Sequence, residues 1–103
     1  MESQGILTTP TRVTIVESEA CHFCVDAHTA LEQIALDHPL VIEAVDARSA
    51  RGTALMQRHR APMSPLVLLD GEFFSHGRLP RRKLRALLER KAASLAGQEG
   101  THG

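Results

Sequence analysis

Two short apolar runs rich in β-branched residues constrain this chain most. Thr11-Arg12-Val13-Thr14-Ile15-Val16-Glu17 and Leu40-Val41-Ile42-Glu43-Ala44-Val45 both read as strands. Between them, Cys24, Ala27, His28, Leu31, Ile34 and Ala35 recur every three or four positions, which is the period of a helix face. Strand, long helix and strand make a βαβ unit, whose crossover sets the two strands parallel and right-handed. The first run places apolar residues on both pleat faces toward its end and so suits the sheet interior. Pro39 bars the helix from continuing and predicts its end near Asp37 or His38.

Downstream, residues 49–60 predict a shorter helix built on Ala50, Ala54, Leu55, Met56 and Gln57, weakened by Gly52 and stopped by Pro62. Leu66-Val67-Leu68-Leu69 and Glu72-Phe73-Phe74-Ser75 flank Asp70-Gly71, a pair that accepts the positive φ of a tight hairpin turn. A last helix opens at Pro80 and carries Leu84, Leu87, Leu88 and Ala92 on one stripe. The predicted order is β-α-β-α-β-β-α, an α/β domain with a four-stranded mixed sheet and helices on both faces. Residues 11–93 form that domain. Residues 1–10 are expected to be a flexible leader, and residues 94–103, with Gly97, Gly100 and Gly103, a disordered tail.

A chain of 103 residues closes one modest core. Twelve basic and twelve acidic side chains cancel, so no overall field draws the protein to nucleic acid or to an anionic membrane. The basic series Arg81, Arg82, Lys83, Arg85, Arg90 and Lys91 reads as the wet face of the last helix, without the interleaved aromatics of a nucleic-acid surface. Met1-Glu2-Ser3-Gln4-Gly5 lacks the charged and apolar regions of a secretory signal, and no run approaches a membrane span. A soluble cytoplasmic monomer is the expectation.

The only two cysteines, in Cys21-His22-Phe23-Cys24, lie where the first strand feeds the first helix. In a reducing compartment such a pair seldom serves as a staple, and so short a loop removes little chain entropy. Reactivity or metal binding explains it better. At a helix start, free backbone N–H groups and the positive dipole end stabilise a thiolate, which makes Cys21 the candidate nucleophile. Cys24, one turn inside, is better shielded and close enough to form a disulfide, as a resolving thiol must. Protonated His22 would favour the Cys21 thiolate, whereas Glu17 and Glu19 oppose it.

Two other readings stand beside thiol chemistry. Cys21, Cys24 and His28 share helical spacing and would make part of a metal or iron-sulfur site, with His59 or His76 converging from elsewhere; structural zinc takes four ligands, and no second pair of suitable spacing is present. The cysteines are otherwise two small packed residues, in a domain that docks partners without redox chemistry.

The element order, the Cys-x-x-Cys at the strand-to-helix junction and the Ser64-Pro65 before the hairpin together resemble the thioredoxin superfamily, nearest its small glutaredoxin-like proteins. The likeness runs from about Thr11 to Ala92. It implies a disulfide oxidoreductase acting on protein or low-molecular-weight disulfides, with a reductase or small thiol as electron donor and no cofactor beyond the dithiol itself. It also implies that Pro65 is cis and lies beside the cysteines, with the backbone of Ser64 pairing an extended substrate and Met63, His22 and Phe23 shaping the contact surface. The chain departs from the family at several places. Ala20 stands where thioredoxins carry Trp, His22-Phe23 where they carry Gly-Pro, and Ile15 where they bury an Asp. His76-Gly77-Arg78-Leu79 replaces the Gly-Gly stretch with which glutaredoxins hold glutathione, leaving glutathione as the small thiol weakly supported. His22 points to a potential less reducing than that of thioredoxin.

Overall fold

The run Thr11–Glu17 forms β1, followed by α1 (His22–Ile34), β2 (Leu40–Asp46), α2 (Ala50–Arg58), β3 (Leu66–Leu69), β4 (Glu72–His76) and α3 (Arg81–Thr101). This computed structural model describes residues 9–101, with side chains through Ser94. The leader expected over residues 1–10 lies outside the described residues up to position 8, as do the last two positions of the tail. Residues 10–79 form one compact unit, and α3 belongs to a second.

In the first unit the strands make one four-stranded sheet of order β2-β1-β3-β4. β1 runs parallel to β2, with Val13 opposite Ile42 and Val16 opposite Val45, and antiparallel to β3, with Ile15 opposite Val67. The interior place of β1 follows from its side chains: Val13, Ile15 and Val16 are fully buried, so neither pleat face tolerates water. On one face, Val16, Val45, Leu66 and Leu68 form an apolar cluster against which Leu55 and Met56 of α2 pack.

The β3–β4 hairpin turns at Asp70 and Gly71, both with positive φ, 50° and 86°. Asp70 also fastens this turn to the start of β1, since its N–H donates to the Arg12 carbonyl at 2.8 Å and its Oδ1 accepts the Arg12 N–H at 2.9 Å. A bulge between Val67 and Leu68 shifts the register of the hairpin.

Helix boundaries differ from expectation. α1 stops at Ile34 rather than near Asp37 or His38; residues 35–38 continue as turns, with the His38 N–H still bonded to the Ile34 carbonyl at 2.9 Å. α2 begins at Ala50, capped by Ser49, whose Oγ accepts the Gly52 N–H at 2.9 Å. Its Gly52 is a packing requirement, because a Cβ there would run into the backbone carbonyl of Asp46. In the second unit α3 continues past Ala93 to Thr101, over most of the stretch expected as a disordered tail. The helix formers Ala92, Ala93, Leu95, Ala96, Gln98 and Glu99 outweigh two glycines that each cost about 1 kcal/mol. Leu84 and Leu88 of α3 are buried, and its Arg81, Arg82, Lys83 and Arg90 are exposed. Among the described residues no helix is long and apolar enough to cross a membrane.

Candidate functional site

The chain leaves β1 through Ser18 and Glu19 and reverses at Ala20, whose φ of 51° is left-handed. For a residue bearing a Cβ that conformation costs about 1–2 kcal/mol. Its result is to deliver Cys21 in extended geometry (φ −116°, ψ 105°) as the N-cap of α1. The Cys21 sulfur fills the role that a Ser or Asp oxygen ordinarily plays, accepting the Cys24 N–H at 3.1 Å. The cap thus directs one of the helix's orphan donors at the first sulfur of the pair.

Cys21 and Cys24 are joined as a disulfide, with their Cα atoms 5.2 Å apart. The two sulfurs differ in access: Cys21 is half-buried, and Cys24, on the inner face of α1 with Ala27, Ala30 and Leu31, is 4% exposed. Cys21 is thus the more accessible of the two sulfurs.

The Ser64–Pro65 peptide bond is cis. Pro65 is fully buried, and its carbonyl accepts the Gly77 N–H at 2.9 Å, which ties the entry of β3 to the exit of β4. Ser64 faces Cys21 with both its polar groups: its carbonyl oxygen lies 3.9 Å from Cys21 Sγ and its hydroxyl 3.8 Å. The Ser18 hydroxyl lies 2.6 Å from that of Ser64. Among the remaining candidates, His22 is exposed on the first turn of α1, and two large apolar side chains are open to solvent, Phe23 at 41% and Met63 at 46%.

Charged neighbours of the pair are themselves engaged. Glu17, at the end of β1, is bonded to the His28 imidazole on α1, both about one-third exposed. Glu19 pairs with Arg48 at 3.0 Å, and Arg48 also reaches Asp46 at 3.6 Å. The backbone N–H and side chain of Arg48 hold the Asp46 carboxyl below the usual carboxylate range.

The metal reading requires His28 and either His59 or His76 to converge on the two cysteines. Among the described residues no group of three or more His, Cys, Asp or Glu side chains is placed to hold an ion. His28 is taken by Glu17, and His59 and His76 are each in ring contact with Phe73, with centroids 6.3 and 6.1 Å from it.

Ser18, Ala20 and the Glu17–His28 pair were not legible as parts of the site. Ser18, just past the end of β1, bonds a residue 46 positions away. No local pattern announces such a contact.

No protein-family model matches the sequence, and neither does any curated protein. Solved structures do match the fold. A thioredoxin-like protein from Clostridium perfringens superposes with a TM-score of 0.63 at 12% identity, over 79% of this chain and 70% of that one. Thioredoxin-2 of a malaria parasite gives 0.59 at 14% identity, over 79% and 82%. The thioredoxin of Fasciola hepatica gives 0.56 at 16% identity, over 86% and 88%. At these identities the likeness establishes the fold: this chain is an α/β protein with a thioredoxin-like fold and a Cys-x-x-Cys pair within disulfide reach.

Proposed function

We propose that the protein is a dithiol thiol–disulfide oxidoreductase. The observation that carries the reading is the Cys21–Cys24 disulfide at the start of α1, with Cys21 the more accessible sulfur and Ser64-Pro65 beside it. In the reduced protein the Cys21 thiolate attacks one sulfur of a substrate disulfide. A Cys21–substrate disulfide forms, the substrate's other sulfur departs as a thiolate and takes up a proton from solvent. Cys24, once deprotonated, attacks Cys21 Sγ, expels the second substrate sulfur and closes the Cys21–Cys24 bond. Two electrons pass to the substrate, and an external reductase or thiol restores the dithiol.

The substrate class is a protein or low-molecular-weight disulfide. Exposed Phe23 and Met63 offer apolar contact to it, the Ser64 backbone a pairing edge beside Pro65, and His22 a polar rim. The experiment is reduction of insulin by thiol-supplied protein. Cys21→Ser, which keeps a good helix N-cap, is expected to lose the activity. Cys24→Ser is expected to accumulate mixed disulfides that a reductant releases. If both variants reduce insulin as well as the parent chain, the reading is wrong. Near-stoichiometric zinc or a coloured cluster in protein purified under reducing conditions would replace it with a metal-binding role.

A further inference from the structure

The contacts of Cys21 Sγ include an interaction that dithiol chemistry in general does not require. The Ser64 hydroxyl donates toward this sulfur from 3.8 Å, and the Ser18 hydroxyl is 2.6 Å from that of Ser64. A serine hydroxyl carries one proton. When the Ser64 proton is turned to the sulfur, Ser64 accepts from Ser18 and the chain runs Ser18 O–H to Ser64 Oγ, Ser64 O–H to Cys21 Sγ.

The worth of this arrangement depends on the state of the sulfur. A disulfide sulfur is a feeble acceptor, whereas a thiolate is charged and takes a far stronger, shorter hydrogen bond. The link is therefore slack in the oxidised protein and tightens when the Cys21–Cys24 bond opens, and the donation from Ser18 polarises the Ser64 hydroxyl further. The Cys24 N–H, 3.1 Å from the same sulfur, is a second donor. The Ser64 carbonyl at 3.9 Å serves the other protonation state, since only a neutral thiol has a proton to give it.

We propose that Ser64 is the hydrogen-bond donor that stabilises the Cys21 thiolate and that Ser18 is a positioning residue acting through it, the two hydroxyls together setting the acidity of Cys21 and the balance between dithiol and disulfide. The proposal deepens the oxidoreductase reading and rests on it for its biological meaning. A group that stabilises the thiolate stabilises the reduced form, so the relay makes the protein a stronger oxidant.

Charged groups near the pair are held constant in the test. The segment bearing Ser64, Ala61-Pro62-Met63-Ser64-Pro65, contains no titratable side chain. On the segment leading to Cys21, Glu17 is held by His28 and Glu19 by Arg48. His22 follows Cys21 on α1, and His76 and Arg78 flank Gly77 where β4 ends. None of these side chains changes in the substitutions that test the relay.

The experiment compares the full chain with Ser64→Ala, Ser64→Thr, Ser18→Ala and the double variant. Thiolate ultraviolet absorbance is followed against pH, and the dithiol–disulfide ratio is measured at fixed glutathione ratios. Loss of a hydrogen bond to a charged group predicts about tenfold less Cys21 thiolate in Ser64→Ala at a pH below its titration midpoint. The oxidised fraction should rise in parallel. Ser64→Thr, which keeps a hydroxyl, should restore parent behaviour. Ser18→Ala should show a smaller change of the same sign, absent when Ser64 is already Ala, because it acts only through Ser64.

An unchanged titration in Ser64→Ala, or a Ser18→Ala effect that persists undiminished on the Ser64→Ala background, would overturn the relay. If Ser64→Ala does not fold, Ser18→Ala alone decides by the same titration. The two readings fail separately. Insulin reduction by the parent chain with an unmoved Ser64→Ala titration removes the relay and leaves the oxidoreductase; a shifted titration without insulin reduction does the reverse.

Discussion

At position 52 the fold leaves no room for a methyl group, because the Asp46 carbonyl occupies the place a Cβ would take. Gly52→Ala sets two effects against each other. Alanine gains about 1 kcal/mol of helix propensity, but the collision forces β2 and α2 apart, and overpacking of this kind costs about 1–3 kcal/mol, the more so when the opposing atom is backbone. The variant is expected to unfold at lower urea concentration than the parent chain, with an unchanged denaturant slope; a higher midpoint would show that the contact relaxes freely. The same residue marks a limit of sequence reasoning. Helix propensity describes Gly52 as a weakness, since it considers the helix alone and not the strand end beneath it. Cys21 lies at the opposite extreme: spacing and position identify it as a helix-start sulfur, and that is where it is.

At the scale of elements, β2 and α2 are joined by more than the turn between them. Arg51 grips Glu43 through two hydrogen bonds of 2.6 and 3.1 Å, and the Ser49 hydroxyl bonds the Asp46 carbonyl at 2.6 Å. The hydrogen bond from Arg51 holds the Glu43 carboxyl below its ordinary value of 4.5. A carboxylate with a depressed folded-state pKa lends its stability above the unfolded value, and that contribution fades as pH falls through the lower, folded one. Arg51→Ala is therefore expected to move the Glu43 titration up toward its ordinary value while Asp46, held by Arg48, stays low. Carboxyl-carbon NMR across acid pH reads both groups at once; a Glu43 curve that does not move would refute the clip. The elements themselves were legible because β-branched runs and Asp-Gly are local signals. The end of α1 was less so, because Pro39 forbids a helix without saying how many turn residues precede it.

Taken whole, the sheet depends on a strand that has no wet side. Ile15 at the centre of β1 is fully buried and paired through β3 and β2 with Val67 and Ala44. Ile15→Ala is expected to cost about 2–5 kcal/mol, the range for emptying an aliphatic side chain from a packed interior. Equilibrium unfolding measures it; a loss well under 1 kcal/mol would mean the strand is less tightly enclosed than its burial indicates. The topology was readable from the chain because a βαβ unit and a hairpin leave few ways to order four strands. What remained hidden was the meeting of Ser18 with Ser64, which depends on how the ends of β1 and β3 come side by side rather than on any pattern within either segment.

The capping of α1 by sulfur has a kinetic corollary. A helix closed by a separate serine or aspartate would be indifferent to events at the cysteines, but here the closing atom is Cys21 Sγ itself. Sulfur retains lone pairs as a thiolate, in a mixed disulfide and in the Cys21–Cys24 bond, so the Cys24 N–H has an acceptor in each of these states. In the proposed exchange, the first turn of α1 need not fray and re-form as the sulfur changes partners, which would keep Cys24 within reach of it.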